Sequence, residues 1–114
     1  MVDGNYYDQG VCKLLLDIAQ DDQTDDEKLD ALGESVNREM DNFLNTIQIT
    51  VPPSNITNDM KMAANYEVVS LYKAKKQDFE AAKYWNDKYG KMKESIKDSL
   101  TLDVENDSQM VGRF

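Results

Sequence analysis

The side chains of this chain best able to do chemistry are its carboxylates. Residues 21–27, Asp21-Asp22-Gln23-Thr24-Asp25-Asp26-Glu27, place five acids in seven positions and invite a divalent-cation reading. An EF-hand loop, however, needs a glycine for its sharp turn and a bidentate Glu at its last position. No glycine stands at that turn, and Leu32 occupies the place of the Glu. The chain has no histidine, which removes His-based triads and His-ligated metal centres. Its one cysteine, Cys12, is followed by Leu14 and Leu15 and reads as a small buried residue rather than a nucleophile. The five glycines are scattered, so no phosphate-cradling loop exists, and no two carboxylates are singled out for acid–base work. The expectation is a chain with no catalytic, cofactor-binding or metal-ligating residues: not an enzyme.

The elements that position these groups follow from period. The apolar run around Val11–Ala19 predicts a short first helix. Thr24 with Glu27 matches a capping box, and the acids of that turn suit the positive end of a helix dipole. Leu29, Leu32, Val36, Met40, Phe43 and Ile47 follow at spacings of three and four, which predicts a long second helix. Its opposite face carries Asp30, Glu34, Asn37, Arg38 and Asp41, and is expected to meet water or a partner.

Beyond it, Ile47, Ile49 and Val51 alternate with polar residues before Pro52-Pro53, which predicts a short extended arm over residues 46–54. Thr57 or Asn58 then caps a third helix with Met60, Ala63, Ala64, Val68, Leu71 and Tyr72 inward. The segment Lys75-Lys76-Gln77 carries a turn, and Asp78 caps a fourth helix whose stripe is Phe79, Ala82, Trp85, Tyr89, Met92 and Ile96. Tyr66 and Tyr84 fall off the stripes, while Tyr6 and Tyr7 can fold back on the bundle or dock on a neighbour. The polar segment 101–114 is expected to be disordered on its own. The predicted architecture is all-α: a small four-helix bundle over residues 1–100, with the arm between helices 2 and 3 and a flexible C-terminal tail over 101–114.

At 114 residues the chain supports one domain. Its net charge of -9 argues against plain nucleic-acid binding, and no apolar run is long enough to span a bilayer. The N-terminal residues lack the pattern of a signal peptide, and a single cysteine allows no internal disulfide. Residues 1–57 carry twelve acidic and three basic side chains, whereas 58–100 carry seven and nine. Copies with one acidic and one mildly basic half can pair head to tail and close into rings. The plainer reading of the acidic run is a solvated helix entrance.

A family resemblance attaches to particular residues. The helix ending in Asp41-Asn42-Phe43-Leu44, the proline-bearing arm, and the Ala-containing stretch Met60-Lys61-Met62-Ala63-Ala64-Asn65-Tyr66 form one part of it. The Tyr/Trp-bearing last helix, Ala81-Ala82-Lys83-Tyr84-Trp85, completes a pattern that resembles the head–tail adaptor (connector, or head-completion) proteins of tailed bacteriophages. The resemblance covers about residues 10–100, and Asn45-Thr46 stands where the family commonly has a glycine–arginine pair. It implies a structural virion protein at the head–tail interface, assembled in the host cytoplasm. Such a protein forms a homo-oligomeric, dodecameric ring under the portal protein, extends the DNA channel and docks the tail, stopper or tail-completion protein. DNA passes without specific binding, and no membrane or cofactor is involved.

On that reading Met110, Val111, Arg113 and Phe114 in the tail bind the portal. The arm residues Ile47, Ile49, Val51, Pro52 and Pro53 reach a neighbour or the tail. Asp30, Glu34 and Asp41 are candidates to line the channel, where an acidic wall repels phosphate and lets DNA slide. The rival expectation is a small acidic phage-encoded regulator, or DNA mimic, that binds a basic host protein. The nine lysines between Lys61 and Lys97 weigh against mimicry.

Overall fold

Helix stops, more than starts, set the architecture. The computed structural model describes residues 4–112 except 52 and 54, with side chains described as far as residue 99. It contains four helices: α1 (Gln9–Leu15), α2 (Asp26–Thr46), α3 (Asn58–Lys75) and α4 (Phe79–Gly112). Among the described residues there is no strand, so the chain is the small all-α four-helix bundle that its periodicity predicts.

The first three helices end in the same way. Asp17, Gln48 and Gln77 have φ of 60°, 67° and 63°, the left-handed region, each one residue past a helix C-cap. The amide after each bonds back five residues: Ile18 N–H to the Lys13 carbonyl at 2.8 Å, Ile49 to Leu44 at 2.9 Å, Asp78 to Lys73 at 2.9 Å. The left-handed residue's own amide bonds back three, to Leu14, Asn45 and Ala74. This is the Schellman stop, here made three times without glycine. It ends α1 at Leu15 rather than Ala19, and the N-cap Asp8, which accepts the Val11 N–H at 3.2 Å, starts it at Gln9 rather than Val11.

The start of α2 differs from the expected capping box. Its N-cap is Asp25, with no side-chain cap bond, and Thr24 N–H instead donates to Asp22 Oδ1 at 3.0 Å. The Asp25 carboxylate is committed elsewhere: it accepts the Tyr72 hydroxyl of α3. The cap of α3 is Thr57, whose Oγ1 accepts the Met60 N–H at 3.3 Å. Asp78 Oδ1 accepts the Ala81 N–H at 3.2 Å in the first turn of α4.

The central element is α3, which packs against each of the other helices. From Ala63 to Ser70 every residue but Tyr66 is buried, so the single inward face expected from spacing is in fact almost the whole circumference. Ala63 and Ala64 are fully buried and let neighbours approach closely, and Ser70 donates its hydroxyl to the Ala82 carbonyl of α4 at 2.7 Å. On α2 the buried line is Leu29, Gly33, Val36, Met40 and Leu44, with Leu32 and Phe43 only half-buried. On α4, Ala82, Tyr89 and Ile96 are buried, but Phe79 is 67% exposed. Phe79 is the first residue of α4, and its ring is left largely open to solvent. The backbone of residues 101–112 continues α4; the segment's side chains, and residues 113 and 114 entirely, lie outside the described residues.

Candidate interaction surfaces

The polar face of α2 is where charge was expected to meet a partner, and the chain itself covers much of it. Residues 4–8 lie along this face as a strap. Gly4 N–H donates to Asp41 Oδ2 at 3.0 Å, and the Tyr6 hydroxyl donates to Asp41 Oδ1 at 2.6 Å. The amides of Tyr6 and Tyr7 both donate to Asn37 Oδ1, at 2.9 and 3.1 Å. The Tyr7 hydroxyl donates to Asp30 Oδ1 at 2.9 Å, and Gln9 Nε2 to the same oxygen at 3.0 Å. Asp30, Gly33, Asn37 and Asp41 recur at three and four residues, so one strip of the helix receives the strap. A Cβ on Gly33 would run into the Tyr7 ring, which is why the smallest residue stands there. Tyr6 is thus fully buried, folded back on its own bundle.

The channel-lining candidates therefore separate. Asp30 and Glu34 are exposed, whereas Asp41 is 9% exposed and satisfied by two donors of its own chain. Asp41 is a structural acceptor for its own chain's strap. The strap continues into α1, where Asp8 N–H donates to Asn65 Oδ1 at 2.8 Å and the Cys12 thiol lies 3.4 Å from the same oxygen. Burial pushes that thiol up to about 12, as expected of an unreactive core cysteine. Lys13, almost fully buried, pairs with Asp26 at 2.6 Å and donates to the Gln20 carbonyl at 3.1 Å.

The arm is likewise turned inward. Ile47, Ile49, Val51 and Ile56 are half-buried against the core, and Pro53 is half-buried. Of the other sites the resemblance implies, Pro52, Arg113 and Phe114 lie outside the described residues, as do the side chains of Met110 and Val111. The side chains left open are different ones: Leu14 is 74% exposed, Phe79 67% and Tyr84 55%. Tyr84 packs edge-on to Trp85 with ring centres 5.2 Å apart, Tyr66 stacks on the same Trp at 5.6 Å, and the Lys88 ammonium lies over all three rings. Tyr and Trp are enriched in interface cores, and a cation over their faces adds electrostatic attraction.

One carboxyl pair was missed by sequence reasoning. Glu67 of α3 is buried beside Glu39 of α2, and its carboxyl is pushed up to about 7, first by burial and then by the Glu39 charge and hydrogen bond. The Tyr89 hydroxyl of α4 donates to Glu39 Oε1 at 2.9 Å, and burial together with Glu39 holds that phenol well above its ordinary range. The Lys93 ammonium, 4.2 Å from the Tyr89 ring centre, partly offsets the rise at Glu67. Spacing within one helix cannot reveal a pair made between two.

No group of three or more Cys, Asp or Glu able to hold a metal ion occurs among the described residues. Within the same residues, no helix is long and apolar enough to cross a membrane. Comparison with family models, curated proteins and solved structures finds no match for this chain.

Proposed function

We propose that this chain is a head–tail adaptor subunit: a structural virion protein that assembles as a ring under a phage portal, extends the DNA channel and docks the tail or stopper. The observation that carries the reading is the ordered pattern of helix, proline-bearing arm, Ala-containing helix and Tyr/Trp helix described from the sequence. Two features of the fold are compatible with it. The bundle exposes Leu14, Phe79 and Tyr84 at separate points of its surface, as a subunit with neighbours on several sides needs. It also leaves Asp30 and Glu34 of α2 open to face a channel. The portal-binding role belongs on this reading to the end of the chain, Met110, Val111, Arg113 and Phe114.

The test is co-elution with the portal protein encoded in the same genome. The full chain is expected to migrate with the portal and to remain bound at high salt, because packed apolar contacts are not screened. A chain lacking residues 101–114 is expected to stay helical by circular dichroism but to elute separately. Binding instead to a basic host protein, lost steeply as salt rises, would replace the adaptor with the acidic-regulator reading.

A further inference from the structure

A groove of about 500 Å³ opens where the first turns of α2 meet the last turn of α3. Its floor is apolar, made by Ala31, Leu32 and the ring of Tyr72, and its rim carries Lys28, Lys75 and Lys76. The lining holds no carboxylate; Asp25, beside it, already accepts the Tyr72 hydroxyl and stands 3.8 Å from Lys28 and 4.0 Å from Lys76. Asp22 lies farther off and acts on Tyr72 only through its charge. All three lysines are exposed. In a chain of net charge -9, this is a local excess of positive charge over an apolar surface. Lysine suits carboxylates spread along a segment, since it offers a mobile point charge rather than a planar fork. Its stem also lengthens the apolar wall.

The chain carries a segment of the opposite character at its other end. Residues 100–107, Leu100-Thr101-Leu102-Asp103-Val104-Glu105-Asn106-Asp107, contain three carboxylates, three aliphatic residues and no basic one. The groove adjoins the turn into Phe79, and α4 then runs as one helix to Gly112. At 1.5 Å per residue, position 101 lies about 30 Å along that helix from the groove end. The segment cannot fold back to its own groove while α4 is intact; only another copy's segment can enter it. We infer that the α2–α3 groove docks the acidic C-terminal part of α4 from a second copy of this chain. The contact is head to tail, so it propagates from copy to copy and closes as a ring when the rotation permits. This inference rests on the self-assembly in the proposed function, yet its test needs no portal.

The probe is a fluorescein-labelled peptide of residues 99–108, titrated with the full chain and read by anisotropy. Saturable binding is expected, weakened at least tenfold in K75E/K76E, whose exposed positions leave the helical circular dichroism unchanged. The variant Ala31→Trp, which fills the groove without changing charge, is expected to weaken it similarly. No saturable binding, or equal binding to both variants, would overturn the inference. So would equal binding of a scrambled peptide of the same composition, which would show that the groove takes any acidic chain. A ring on the portal that forms equally well with K75E/K76E would remove the groove contact and leave the adaptor. Groove-dependent peptide binding without portal association would do the reverse.

Discussion

At the residue scale, the buried acids separate structural charge from surface charge. Asp41 looks like its neighbours Asp30 and Glu34 when α2 is read alone, yet it is the anchor of the N-terminal strap. Replacing it with alanine leaves the Gly4 amide and the Tyr6 hydroxyl without their acceptor in a buried place. The expected loss is about 1–3 kcal/mol in a urea titration. Charge reversal at exposed Glu34, which receives no strap donor, should change stability by no more than about 0.5 kcal/mol. Equal effects at Asp41 and Glu34 would contradict the strap.

Glu67 gives a second prediction. Its folded-state pKa of about 7 exceeds the ordinary 4.5, so the folded protein holds this proton more tightly than the unfolded chain does. The associated stability is fully present below pH about 4.5 and is lost as pH rises through about 7. Glu67→Gln, which keeps a hydrogen-bonding group beside Glu39, should flatten that slope. At pH 8 it should be more stable than the parent by roughly 1 kcal/mol, with the difference vanishing near pH 4.5. A pH-independent difference in thermal midpoint would contradict the pair.

At the element scale, the chain stops its helices with strained residues. Non-glycine side chains at left-handed positions carry a steric cost that glycine does not. Gln77→Gly keeps the α3 stop and relieves that cost, so it should raise stability by about 0.5–1 kcal/mol, and Gln48→Gly should do likewise. A loss on both substitutions would mean that these side chains are held by contacts of their own. The same feature explains what spacing conveys and what it cannot. Leu29, Leu32, Val36 and Met40, or Ala82, Trp85, Tyr89, Met92 and Ile96, announce their helices by recurring at three and four. Thr57 announces its cap by standing before an apolar run. Asp17 and Gln48 announce nothing, because a Schellman stop without glycine has no residue signature; the turn at Gln77 is legible only because it separates two apolar stripes. The Thr24 capping box fails because α2 starts one residue later, with Asp25 as N-cap, and that carboxylate is taken by Tyr72, 47 residues away.

At the scale of the whole molecule, four helices in the expected order were legible, but which polar residues lie inside was not. Asn65, Glu67 and Ser70 are polar letters on a helix surrounded by three others, and their burial follows from α3 being central. The strap hides Asp41, the core takes Ile47, Ile49 and Val51, and the open apolar residues become Leu14, Phe79 and Tyr84. The surface available for assembly thus differs from the one that periodicity suggests, though the charge contrast between its halves remains. Such subunits are proposed to form a ring on a portal, and negative-stain imaging of the chain mixed with the portal of the same genome is the direct test. A second annulus stacked coaxially beneath the portal is expected; portal particles without added density, with the chain remaining monomeric, would rule the ring out.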